Sequence, residues 1–257
     1  MLFATLPAHM GGRDFASSYA SLVDLIAPSN TSVHVVDLGC GSGHLLQLLH
    51  EQGAHLRLTG VDFSIAEIAV ARGSLPTDVR LLAEPAQSMS IPDQDVDCVL
   101  SHLALMVMHD LPQVFAEIHR ILKPGGRLGA VIGRRMLLGE AHLAYREVIG
   151  RHAGSGLTAL AAEETRSLDG WRMLLDPFFE SVQFDDLDLP WRPTPSELCE
   201  ALRYTYDIDR LPVASLPQIM AELDEAFAGL VDGEGRLTTG WGLRRIAARS
   251  RNASGAS

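Results

Sequence analysis

The sequence predicts an α/β protein built on a seven-stranded, mostly parallel sheet with helices on both faces and a helical lid. Three observations carry this. Short apolar runs rich in Val, Ile and Leu alternate with helical patterns, the signature of a parallel sheet. The first run ends in a glycine loop, "VVDLGCGSG", that opens directly into a leucine-rich helix. The 257-residue length and 47% hydrophobic content give enough chain and apolar surface for one large α/β core.

The elements follow in order. The first strand is Val33–Asp37, and Gly43–Glu51 is its helix, with Leu45, Leu46, Leu48 and Leu49 toward the sheet. Leu56–Asp62 is the second strand, and "SIAEIAVAR" is the following helix, with Ser64 as N-cap. Strand three lies at Val79–Ala83, and strand four at Val96–Ser101 after the turn "PDQD". In "LPQVFAEIHRIL", Val114, Ile118, Ile121 and Leu122 form one helical stripe, and "KPGG" stops that helix. Strand five is Arg127–Ile132. Residues 137–176 read as mostly helical, 180–189 as strand six, 194–232 as helical again, and 236–249 as the last strand. One helix, "DFASSYASLVDLI", is expected before the first strand. The plan is one domain, with a core of 33–190 and 236–249 and lid segments at 1–32 and 191–235.

Composition narrows the function. The formal net charge of −11, from 21 Lys and Arg against 32 Asp and Glu, argues against nucleic acid as the partner. No apolar run reaches the ~20 residues of a membrane-spanning helix. The N-terminal stretch lacks a signal-peptide pattern. The three cysteines, Cys40, Cys98 and Cys199, are far apart, which fits reduced thiols rather than a zinc site or redox pair. A cytoplasmic, metal-free protein is expected. The polar end, "RSRNASGAS", reads as a frayed tail.

The glycine loop points to a nucleotide-like cofactor. Gly39, Gly41 and Gly43 let the backbone turn sharply and come close to a ligand at a helix N-terminus. A dinucleotide loop has the spacing G-x-G-x-x-G; here His44 stands where its third glycine would be, so the loop suits a cofactor without a pyrophosphate. Asp62, at the end of the second strand, can accept both hydroxyls of a ribose, and Phe63 is placed to cover an adenine.

The stretches "VVDLGCGSG", "LTGVDFS", "IPDQDVDCVLSHLALMVMHDL" and "ILKPGGRLGAVI" together resemble the successive motifs of class I S-adenosylmethionine-dependent methyltransferases. The likeness is nearest to the small-molecule "type 11" group and covers about residues 33–132 of a Rossmann-like core. It implies that Asp37, Gly39, Cys40, Gly41 and Gly43 border the methionine and ribose parts of S-adenosylmethionine. It implies that Asp62 binds the ribose and Phe63 lies by the adenine. It also places Ser101 and His102 beside the methionine part. The family's acid after strand three is replaced by Pro85 within Glu84-Pro85-Ala86, which leaves the Ala86 amide and Gln87 to hold the adenine.

Methyl transfer from a sulfonium is an in-line displacement, so the protein mainly aligns the acceptor and excludes water. Where a base is needed, His102 is the first candidate and His109 the second, while His119 reads as a surface residue. A carboxylate acceptor needs no base. Tyr19, Arg134 and Trp171 are the expected substrate contacts, with Arg13, Arg135, Trp191, Tyr204 and Tyr206 as further candidates. The expected activity is methyl transfer to a small molecule. Two alternatives stay open: an enzyme that cyclises the cofactor's aminobutyrate arm and releases methylthioadenosine, and a non-catalytic cofactor-binding partner. Nothing in the sequence sets an oligomeric state.

Overall fold

The computed structural model describes residues 2–26, 29–152, 163–203, 205, 208 and 211–252. The chain begins with two short strands, β1 (Ala8–Met10) and β2 (Arg13–Phe15), and a short helix, α1 (Ser18–Val23). The alternating core follows: β3 (Val33–Leu38), α2 (His44–His50), β4 (Leu56–Asp62), α3 (Ile65–Ser74) and β5 (Arg80–Ala83). Next come β6 (Val96–His102), α4 (Leu111–Ile121), β7 (Leu122–Arg135), α5 (Ala141–His152) and α6 (Leu168–Leu175). The chain closes with β8 (Phe179–Trp191), α7 (Pro195–Leu202), α8 (Leu216–Ala228) and β9 (Thr239–Ser250).

The strand order is β2-β1-β8-β9-β7-β6-β3-β4-β5, nine strands where seven were expected. The two additional strands are β1 and β2. They form an antiparallel hairpin ahead of the helix expected from Asp14, and β2 takes its first two residues, Asp14 and Phe15. Gly11 and Gly12, at φ 55° and 79°, supply the tight turn, because two adjacent left-handed residues match the twist of the flanking strands. The expected helix survives only as α1.

Contacts group the chain into two units. The first comprises Met1–Ser18, Gly133–Ala159 and Asp186–Leu243; the second comprises Tyr19–Ile132, Leu160–Asp185 and Arg244–Ser257. Within the second unit, β5, β4, β3, β6 and β7 are parallel neighbours. All five strands therefore deliver their C-terminal ends to one edge. The chain adds β4 and β5 on one side of β3 and then crosses to add β6 on the other. The strand order therefore reverses between β3 and β6, the switch point beside which ligands of such sheets bind.

Ser64 caps α3 as the sequence predicts, its hydroxyl accepting from the Glu67 amide at 3.3 Å. The segment "KPGG" ends α4 but belongs to β7, which starts at Leu122 rather than Arg127. The register explains this. Val96 pairs with Leu122 and Cys98 with Arg127, so the proline and glycines are accommodated as a bulge in the strand.

The core of the second unit lies between the sheet and α4. Val114, Ile118 and Ile121 of the stripe read from the sequence are fully buried, and so is Phe115 beside them. Phe115 meets Trp171 at 6.4 Å and Phe179 at 6.2 Å, both edge-on. The three cysteines are free and buried. No helix among the described residues is long and apolar enough to cross a membrane.

Trp171 is 1% exposed, and its indole N–H is satisfied by the Thr165 carbonyl at 2.9 Å. Trp171→Ala is expected to destabilise the protein by about 3–5 kcal/mol in urea unfolding, the usual loss for a large core aromatic. A loss below about 1 kcal/mol would remove this ring from the core.

Candidate functional site

The site forms where β3, β4 and β6 end in the second unit. The loop after β3 is drawn back over β4: the Gly39 and Cys40 amides both donate to the Val61 carbonyl, at 2.8 and 3.1 Å. All three loop glycines have positive φ, at 74°, 50° and 91°. Their reasons differ. A Cβ on Gly39 would lie 2.4 Å from the Ala104 Cβ, and one on Gly43 would lie 2.6 Å from Leu75. These two glycines admit neighbouring protein. Gly41 is the open one, with nothing nearer than a Glu67 oxygen at 3.6 Å. Leu103, at φ 54°, turns the chain out of β6 and sets Ala104 against Gly39.

Two carboxylates flank this loop, and their surroundings differ. Asp62 is held by its neighbours: one oxygen accepts from the Gly41 amide at 2.9 Å and the other from the Ser64 amide at 2.9 Å. Asp37, the penultimate residue of β3, is 2% exposed, and no donor among the described residues reaches its carboxylate. Burial, with the Asp62 charge adding to it, raises its pKa to about 8. Asp37 is thus a buried acid lacking a positive partner.

Three rings stand beside these acids. Tyr19 of α1 stacks on His102 with centroids 3.6 Å apart and planes 17° from parallel. Its edge meets His44 at 4.7 Å and 78°. Burial, reinforced by the Asp37 charge, holds the Tyr19 phenol well above the usual range, so it stays protonated. Burial, then the proximity of His44, lowers the His102 pKa to about 3. His102 is therefore a neutral ring at physiological pH and a weak base, which does not favour the general-base role read from the sequence. Ser101 is fully buried, and its hydroxyl donates to the Leu38 carbonyl at 2.8 Å, tying the ends of β6 and β3 together. Cys40 fills the loop, 8% exposed, and burial raises its thiol pKa well above the usual value.

The other expected residues divide. Phe63 is 82% exposed at the end of β4, an unusual position for an aromatic side chain that packs no core. Ala86 is buried, and the Gln87 side-chain amide donates to the His109 carbonyl at 2.5 Å. Glu84 is committed elsewhere, accepting from the Ser90 amide and hydroxyl at 2.7 and 2.6 Å. Trp171 is a core residue, as above. Arg134 belongs to the first unit, where it pairs with Asp188 and Asp186 and donates to the Leu243 carbonyl. These bonds occupy the guanidinium that was expected to clamp a substrate. His119 packs against Phe178 and Phe179 rather than standing in solvent. Tyr204 and Tyr206 lie outside the described residues. The sequence reading treated His44 only as a missing glycine; its place as the first residue of α2 was the signal that it joins Tyr19 and His102.

Comparisons with known proteins agree with this geometry. Residues 36–130 match a family model described as a methyltransferase domain. Trans-aconitate 2-methyltransferase of Escherichia coli O157:H7 (strain EC4115 / EHEC) is 31% identical over 163 residues, 58% of this chain and 64% of that protein. The chain thus matches less than two thirds of the length of such curated relatives. Among solved structures, the YcgJ protein of Bacillus subtilis aligns with a TM-score of 0.57 at 20% identity, covering 88% of this chain and 95% of that one. Haemonchus contortus phosphoethanolamine N-methyltransferase 2, solved with phosphomonomethylethanolamine and S-adenosylhomocysteine, aligns with a TM-score of 0.56 at 17% identity. That alignment covers 91% of this chain and 52% of the other. These two likenesses are of fold alone. The parallel sheet, the glycine loop and the match over residues 36–130 together make this part of the chain similar to a methyltransferase domain.

Proposed function

We propose that this protein is an S-adenosylmethionine-dependent methyltransferase acting on a small molecule by in-line transfer. The observation that carries the reading is Asp37, a buried carboxylate with no donor among the described residues, beside an open glycine loop. A buried acid in that state favours a cationic ligand, and S-adenosylmethionine carries both a sulfonium and an ammonium. The residues present fit the rest of it. Asp62, oriented by two amides, keeps acceptor capacity for ribose hydroxyls. The exposed face of Phe63 suits the adenine, with Ala86 and Gln87 just after β5, the strand paired with β4, for its edge.

Bound there, S-adenosylmethionine supplies a methyl group already activated on sulfur. The chain supplies alignment and dryness. Tyr19 and His102 are both held uncharged, so they form a wall that neither repels a sulfonium nor competes for the methyl group as a strong base. Their stack makes His102 a positioning group. The acceptor class that matches a weak base is one needing no deprotonation at neutral pH, such as a carboxylate. The 31% identical relative is named for trans-aconitate, a carboxylic acid, which makes small organic acids the first acceptors to test.

Asp62→Ala is expected to weaken S-adenosylmethionine binding at least about tenfold in calorimetry, through loss of charge-assisted hydrogen bonds. His102→Ala is expected to lower turnover with little change in that affinity. Equal losses of affinity in both variants would assign His102 to the cofactor site instead.

The product separates methyl transfer from arm cyclisation. S-Adenosylhomocysteine with a methylated acceptor is expected. Methylthioadenosine released from cofactor alone would overturn the proposal.

Asp37 gives a pH signature. Its folded pKa of about 8 lies above its unfolded value of 3.8, so the folded state binds the extra proton between these limits. Its contribution to stability is present below about pH 4 and is lost as pH rises toward 8. Asp37→Asn is therefore expected to gain stability over the unsubstituted protein by up to about 1.4 kcal/mol per pH unit within that window, levelling off above it. A difference that does not vary with pH would show that Asp37 titrates normally.

A further inference from the structure

We infer that the first unit carries a separate binding site, a pocket that takes a small aryl carboxylate. Every residue lining the pocket comes from segments 1–18 and 186–243 of that unit. The cavity is about 920 Å³, within the ~300–1,000 Å³ of ordinary small-molecule sites. The inference does not rest on the methyltransferase reading.

Three aromatic side chains wall it: Phe3, Trp191 and Trp241. Phe3 meets Trp241 edge-on, with centroids 5.3 Å apart. Trp241 is 3% exposed, and its buried indole N–H finds no partner among the described residues. Buried donors are ordinarily satisfied, so this unpaired N–H is an exception in a residue that forms the wall.

The polar side of the pocket is also rich in unused donors. Arg236 employs one nitrogen only: Nη1 donates to the Arg192 carbonyl at 2.7 Å and reaches Glu197 at 3.4 Å. Its Nε and Nη2 have no partner among the described residues. Ser196 lies in the first turn of α7, where backbone N–H groups lack helical acceptors. Thr194 takes up the Glu197 amide, and Pro195 has no N–H to offer. The Ser196 N–H and hydroxyl remain unpaired among the described residues.

The acids in the lining do not reverse this balance. Glu197 accepts from the Thr194 amide at 2.8 Å and from Arg236. Glu200 pairs with Arg203 at 3.2 Å. Both carboxylates are already matched, and the unspent groups are donors. A guanidinium edge and a helix N-terminus bind an anion, best a planar carboxylate. Two tryptophans and a phenylalanine bind a flat apolar body. An organic cation would have to compete with Arg236 and Arg203 for its acids.

Calorimetry on the full chain, without S-adenosylmethionine, tests this with three ligands that share one ring system: 1-naphthoate, 1-naphthylmethanol and 1-naphthylmethylammonium. Saturable binding of 1-naphthoate is expected, at least about tenfold tighter than that of the cation. Arg236→Gln is expected to weaken it about tenfold. Because Arg236 also ties Arg192 and Glu197 together, Ser196→Ala serves as the second variant. It leaves those bonds and thermal unfolding intact while weakening 1-naphthoate about threefold or more. The inference fails if 1-naphthoate shows no saturable binding at millimolar concentration. It fails equally if the ammonium binds as tightly, or if Ser196→Ala, folded normally, binds 1-naphthoate unchanged.

Discussion

The second unit is organised around one uncompensated carboxylate. Asp37 sits near the C-terminal end of β3, with parallel neighbours on both sides of that strand. The amides that might have satisfied it are sent elsewhere. Gly39 and Cys40 donate to Val61, and Gly41 donates to Asp62. This routing needs the left-handed turns that only glycines adopt without strain, at residues 39, 41 and 43. The loop therefore does two things at once. It binds β3 to β4 through the backbone, and it leaves a buried acid in low dielectric at the sheet's switch point. The burial that makes Asp37 costly in the free protein is what makes a cation welcome there.

The rings next to it extend the same logic. A charged imidazole beside a sulfonium would oppose cofactor binding. Burial keeps His102 neutral, and its close stack on Tyr19 fixes the ring's plane. Ser101 locks the strand end that presents His102 by bonding the Leu38 carbonyl. The catalytic contribution left to this wall is alignment and exclusion of water, which in-line transfer from an activated donor chiefly needs. A proton-accepting side chain is not needed when the acceptor is already an anion.

Much of this was legible in the chain because it is local. The limits of β4 and the cap at Ser64 follow from apolar runs and punctuation, and the acids Asp37 and Asp62 follow from their positions at strand ends. What failed to transfer from sequence was set by packing or by distant partners. Trp171 reads as a substrate contact, yet it is buried in the core against Phe115. Arg134 reads as a free clamp, yet its acids, Asp186 and Asp188, lie more than fifty residues away on β8. His102 reads as a base until its burial is known. The hairpin of β1 and β2 is a different case. Adjacent glycines at 11 and 12 were a visible turn signal, outweighed by the helical pattern after Asp14. The reach of β7 through "KPGG" was not visible, because the bulge depends on pairing with β6.

The account stands or falls on the protonation of Asp37. Carbon-detected NMR of its side-chain carboxyl, titrated over pH 4–10, reads this directly. The ligand-free protein is predicted to show a pKa near 8, and saturating S-adenosylmethionine is predicted to lower it by about two units or more. A ligand-free value in the ordinary carboxylate range, near 4, or one that S-adenosylmethionine leaves in place, would contradict the claim that a buried, unpaired carboxylate selects the cofactor.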